Sequence, residues 1–230
     1  MTARTILVLA PHPDDAALYA SGVIYAAHQR GDVVKIAFLT NGDFYTDIDD
    51  HYVERGLKLE EETVASMAEL GPQAEDLLFL GYGDTTTEFI YHRKDETSVV
   101  TSPAGVSATY AQYGLNRQSF HETVFGSPAP YVRGNIRADF RKILEIHRPD
   151  EIFATHLVDE NPDHAGVYLF LYDALVAFSR TEMGKFYNPA VYCGIVHAPN
   201  ESDWPQKPGS QSKPFARPKY LELTARRPGF

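Results

Sequence analysis

The 230-residue chain has a single cysteine, Cys193. That count excludes an internal disulfide and any zinc site built from several thiolates. Basic residues are also scarce: 21 Lys and Arg stand against 31 Asp and Glu, a formal charge of −10. This balance argues against nucleic acid or an anionic membrane as a partner, because both need basic patches. No apolar stretch approaches the length of a membrane span. The run ILVLA at residues 6–10 is too short for a signal-peptide core and has no small-residue cleavage site behind it, so a cytoplasmic, reducing compartment is expected. Neither a G-x-G-x-x-G nor a Walker loop follows that run, and aspartates in its place would repel phosphates, which excludes a nucleotide-binding module of those kinds.

What is present is an alternation of short apolar runs with helical periods. Residues 6–10 read as a buried strand, and Leu18, Val23, Ile24 and Ala27 recur at helical spacing before Gly31. A second strand at 33–40 stops at Asn41-Gly42, and a polar loop follows. A helix at 53–70 ends at Leu70-Gly71-Pro72, and a third strand at 76–80 is closed by GYGD at 81–84. Residues 85–130 show no period and are rich in Thr, Ser, Gly, Tyr and Pro, the pattern of a long irregular excursion; such loops in compact domains usually carry function. Regularity returns with a helix at 131–147, a strand at 151–155, a helix at 163–181 and a last strand at VYCGIVH, 191–197. From residue 199 the composition is that of a loosely structured arm. Residues 1–198 therefore read as an α/β, Rossmann-like domain with a mostly parallel sheet and helices on both faces.

In such sheets ligands bind beyond the carboxyl ends of the strands, where the winding reverses. Two loops fall at those ends: PHPDD at 11–15 and HLVDENPDH at 156–164. Imidazole and carboxylate suit zinc or a similar divalent ion, and three protein ligands with an open position mark a catalytic site. His12 and Asp15 are spaced to reach one ion, His164 is the best third ligand, and Asp14 is left beside the ion as a general base. Taken singly, either loop is explained as well by helix capping, with Asp14 or Asp15 capping the first helix and Asp163 the last. The convergence of both loops after buried strands favours the site.

Together, ILVLAPHPDD, the LG-terminated helix with Glu62, FLGYGD at 79–84, and RPDEIFAT followed by NPDH resemble the LmbE or PIG-L family of metal-dependent de-N-acetylases. The resemblance runs from about residue 5 to residue 180. It implies a Rossmann-like fold, one zinc ion per chain (or another divalent ion such as Fe2+), and hydrolysis of an N-acetyl group from an amino sugar or its conjugate. It also implies His12, Asp15 and His164 as metal ligands and Asp14 as general base. The chain departs from the family pattern at Ala16, where glutamate is usual, and at Asn161, where histidine is usual. An arginine expected a turn before Glu62 is not evident. Asparagine can donate a hydrogen bond to an oxyanion but cannot deliver a proton. His156, His197 or Asp14 must then protonate the leaving amine, or turnover is weak. Asp163 orients a neighbouring group or caps its helix.

Arg93, Tyr110, His121 and Tyr131, in or beside the excursion, are candidates to line a sugar cleft; packing of the loop is the alternative for each. His28, His51, His92 and His147 are expected at the surface, and Cys193 in a strand interior. The basic residues of the arm suggest solvation or, more sharply, contact between copies of the chain. Rival readings are a metal-dependent amidase or esterase on a non-sugar substrate and a catalytically silent metal-binding module.

Overall fold

A computed structural model describes residues 2–44 and 51–197. The expectations for the arm and for most of the polar loop after the second strand lie outside the described residues. Five strands form one all-parallel sheet in the order β3-β2-β1-β4-β5. They are β1 (Thr5–Ala10), β2 (Val33–Thr40), β3 (Leu77–Tyr82), β4 (Glu151–Thr155) and β5 (Ala190–Gly194). The helices are α1 (Asp15–Gln29), α2 (Tyr52–Leu70), α3 (Thr87–His92), α4 (Phe120–Phe125), α5 (Arg133–His147) and α6 (Pro162–Ser179).

β1 lies at the centre, and its side chains alternate between two cores as strand pleating requires. Ile6, Val8 and Ala10 face Ala16, Ala20, Ile24 and Ala27 of α1 and Met67 of α2. Leu7 and Leu9 face the opposite core, built from Ile136, Phe140, Ile143 and Leu144 of α5 and Val167, Phe170 and Phe178 of α6. The small residues on the inner stripe of α1 let that helix lie close to the sheet. Gly71, at φ 116, donates its N–H to the Met67 and Ala68 carbonyls and closes α2 in a backbone conformation that residues with side chains rarely adopt.

The winding runs one way from β1 to β3 and the other way from β1 to β5, so the reversal falls between β1 and β4. The loops leaving those neighbouring strands are PHPDD and HLVDENPDH, and the register sets Leu9 of β1 beside Ala154 of β4. The excursion is tied down at several points. It holds α3, α4 and an isolated antiparallel bridge between Ala108 and Pro130. Two surface expectations are corrected. β5 is an edge strand whose first four residues are exposed, so Cys193 is exposed rather than buried. His147 is half-buried, and burial pushes its pKa down to about 4. Among the described residues no helix is long and apolar enough to cross a membrane.

Candidate metal centre

The two loops are held in place by the strand ends beneath them. The Thr40 N–H and hydroxyl both donate to the Pro11 carbonyl, at 2.9 and 3.0 Å, and Thr63 Oγ1 of α2 donates to the Pro13 carbonyl at 3.2 Å. Across the reversal, Thr155 Oγ1 at the end of β4 donates to the carbonyl of His164 at 2.9 Å. Asn161 caps α6 by accepting from the Asp163 N–H at 2.9 Å, and Pro162 fills the first helical position. The cap is therefore Asn161, not Asp163. Asp14 occupies the N-cap position of α1 but makes no capping hydrogen bond, and its neighbour Asp15 accepts from the His12 N–H at 2.9 Å instead.

Three ligand-type atoms from these loops face one another. His12 Nδ1 is 3.1 Å from Asp15 Oδ2 and 3.3 Å from His164 Nε2, and the third edge, His164 Nε2 to Asp15 Oδ2, is 3.1 Å. A tetrahedral ion with bonds of about 2.0 Å separates its ligand atoms by about 3.3 Å. The triangle therefore matches three corners of such a site, and the donor set of two imidazoles and one carboxylate suits zinc or ferrous ion.

The far nitrogens of both rings meet carboxylates. His12 Nε2 lies 3.3 Å from Asp84 Oδ1 and from Asp163 Oδ2. His164 Nδ1 lies 3.1 Å from Asp159 Oδ2, off the line of a well-formed hydrogen bond. Carboxylates behind ligand imidazoles fix tautomer and orientation and raise basicity. Burial alone would lower the His12 pKa, but its contacts with Asp15, Asp163 and Asp84 outweigh burial and raise it well above the ordinary histidine value. Burial works against ionisation of Asp15 too, yet the two imidazoles hold its carboxyl far below the usual range.

Asp15, Asp43, Asp84, Asp159 and Asp163 are all buried here. Burial pushes Asp43 and Asp84 up in pKa. Two imidazoles cannot balance five buried carboxylates, and a divalent cation is the natural counter-charge. Asp84 has no place among the residues singled out from the sequence, and Asp159 stands there in the second loop without a role of its own. Asp84 could have been noticed as a carboxylate at the end of a third strand, after the glycine of FLGYGD. Asp159 carried no signal beyond its place in the loop.

Asp14 is exposed and its carboxylate makes no hydrogen bond or ion pair among the described residues. The His197 ring centroid is 5.0 Å from that of His164, and the His197 backbone N–H donates to Asp159 Oδ2 at 3.1 Å. The residues of the excursion are engaged elsewhere. Tyr131 is fully buried, with its hydroxyl donating to the Gly81 carbonyl at 3.1 Å, so its ring packs the core and cannot stack on a ligand. Tyr110, half-buried, donates to Asp43 Oδ2 at 2.8 Å. His121 Nδ1 lies 2.7 Å from the buried Asp139, and Arg93 donates to Ser98 Oγ at 2.7 Å beside the Phe89 ring. Excursion groups do reach the centre through Thr85 and Thr87, whose backbone N–H groups both donate to Asp163.

Fold and site together define an α/β protein in which two histidines and an aspartate, arranged to suit a metal ion, stand at the switch point of a parallel sheet. A family model described as PIG-L: GlcNAc-PI de-N-acetylase matches residues 7–175, and the chain belongs to that family. Among solved structures, it is similar to an N,N'-diacetylchitobiose deacetylase from Pyrococcus horikoshii at TM-score 0.56 and 20% identity, covering 83% of this chain and 60% of that one. It is also similar to a conserved protein from Thermus thermophilus at TM-score 0.53 and 19% identity, covering 86% of this chain and 68% of that one. The chain thus spans less than two thirds of the first of these. No match was found among curated proteins.

Proposed function

We propose that this chain is a metal-dependent N-deacetylase that hydrolyses the acetamide of an amino sugar or its conjugate. The observation that carries the reading is the triangle of His12 Nδ1, Asp15 Oδ2 and His164 Nε2, with the unengaged Asp14 carboxylate next in sequence to one of its corners. Family membership and the deacetylase activity named for the structural neighbour support the substrate class. These three residues would hold one zinc ion, or ferrous ion in its place. Bound there, the ion acts as a Lewis acid, polarising the acetamide carbonyl and acidifying water.

The chain's own residues supply the proton transfers. Asp14 takes a proton from the attacking water as oxygen bonds to the carbonyl carbon. Asn161 has its side-chain oxygen committed to the α6 cap, which leaves its Nδ2 as a donor for the developing oxyanion. Asn161 cannot protonate the amine. Asp14, now carrying the proton from water, returns it to nitrogen as the C–N bond breaks, giving acetate and a free amine. His156 is poorly placed for that step, because its Nδ1 accepts from the Val158 N–H at 3.2 Å and its ring packs on Tyr168.

The test is elemental analysis of wild type, Asp15→Ala and His164→Ala, with amine release from N,N'-diacetylchitobiose and N-acetylglucosamine conjugates assayed on the same samples. About one ion per chain in wild type is expected, with metal lost in both variants and activity down by more than about 10³-fold. Metal retained by both variants would refute the site. Metal without amine release from any conjugate would refute the substrate class and favour a weakened module with Asn161 as its cause.

A further inference from the structure

The turn that joins β3 to α3 holds an unusual backbone. Thr85 adopts φ 64, a conformation that costs a β-branched residue about 1–3 kcal/mol and persists only where its surroundings impose it. What imposes it here is Asp163. The Thr85 N–H donates to Asp163 Oδ2 at 2.6 Å. The Thr87 N–H and hydroxyl both donate to Asp163 Oδ1, at 2.9 and 2.7 Å. Thr87 and Asp163 are each fully buried. α6 makes room for this contact at Gly166, where a Cβ would stand 2.3 Å from Thr87 Oγ1.

A carboxylate offers about four lone-pair directions. The turn fills three, and the remaining one faces His12 Nε2 at 3.3 Å, a nitrogen that Asp84 Oδ1 meets at the same distance. Asp163 so held can only accept from His12, which keeps the ring's proton on Nε2 and turns the Nδ1 lone pair toward Asp15 and His164.

We propose that Thr87 is a positioning residue for the metal centre: its buried hydroxyl, with the strained Thr85 N–H, locks the Asp163 carboxylate that selects the ligating nitrogen of His12. The inference rests on the reading of the site as a metal centre. It assigns a role to a segment that contributes no ligand and lies about 70 residues from either ligand loop.

The test is zinc affinity by competition with a chromophoric chelator for wild type, Thr87→Val, Thr87→Ser and His164→Ala. It is paired with 15N NMR of the histidine rings in the zinc-loaded wild type. Thr87→Val is close in shape but lacks the hydroxyl, and should bind zinc about tenfold more weakly, the lower end of what loss of an outer hydrogen-bond partner costs. Thr87→Ser should restore affinity to within about twofold of wild type, because the hydroxyl returns. A role in packing alone would be rescued by valine rather than serine. Thr87→Val with wild-type affinity overturns this inference and leaves the metal centre standing. So does zinc-loaded wild type in which His12 ligates through Nε2, a result available even if the valine variant fails to fold. Wild type that binds no zinc, or His164→Ala that binds it as tightly, refutes the metal centre itself.

Discussion

The loops at the sheet reversal and the excursion between β3 and α5 are both irregular and both rich in polar groups, yet they use them in opposite ways. In the excursion the polar tips turn back onto the protein. Tyr131 reaches the Gly81 carbonyl, Tyr110 reaches Asp43, and His121 reaches Asp139. At the reversal, two imidazoles and a carboxylate point at one another, and Asp14 stands exposed with no partner among the described residues. Groups that satisfy one another hold a loop on its domain. Groups that converge with binding capacity left over mark a place for something else. The excursion joins the second pattern at Asp84, which faces His12 Nε2, and at Thr85 and Thr87, which brace Asp163 behind the same ring.

The contrast between the two regions is open to test at three places, and the largest expected effect is at Asp14. Asp14→Asn should lower turnover by about 10²- to 10⁴-fold, the usual contribution of a general base. Metal content and thermal midpoint should stay at wild-type levels, because the side chain makes no hydrogen bond or ion pair among the described residues. Loss of metal in that variant would place Asp14 among the ligands.

The next effect is on stability, at the contact between α2 and the excursion. Glu60 is fully buried, accepts from the N–H groups of Gln112 and Tyr113, and has one oxygen without a partner among the described residues. Burial pushes its pKa up to about 7. The folded chain therefore holds this proton more tightly than the unfolded chain does. The resulting stability is present in full below the ordinary carboxyl value of about 4.3 and is lost as pH rises through about 7. Glu60→Gln carries no such dependence. Between pH 5 and pH 8 its stability relative to wild type should improve by about 2 kcal/mol, measured by urea unfolding. A difference independent of pH would mean that Glu60 is ionised throughout.

The smallest effect separates packing from substrate binding most directly. Tyr131→Phe removes one buried hydrogen bond and should cost about 1 kcal/mol, with KM and kcat unchanged. A raised KM with unchanged stability would return Tyr131 to the substrate cleft.

Much of this was legible in the chain because it was local. The runs ILVLA and VVKIAFLT, the Gly31 and Gly71 stops and the strand EIFAT depend on neighbours a few residues away, and the elements appear where the periods place them. The ends of α2, α5 and α6 shift by one or two residues, as helix ends do. His12, Asp15 and His164 could be picked out because an alternating strand and helix order already implies where strand ends lie.

Three kinds of fact were not local. Whether Tyr131 lines a cleft or fills a core depends on what stands above it, and aromatic side chains serve both ends. The exposure of Cys193 depends on β5 being an edge strand, which strand order decides. Asp84 and the Thr85–Thr87 turn enter the centre through pairings between loops far apart in the chain. The alternating α/β pattern and the side chains able to hold a metal were readable from residue order alone, because periodicity and donor chemistry are properties of the residues. Which carboxylates stand behind those side chains, and which aromatics are buried, was settled only when the chain folded, because both follow from contacts that no spacing encodes.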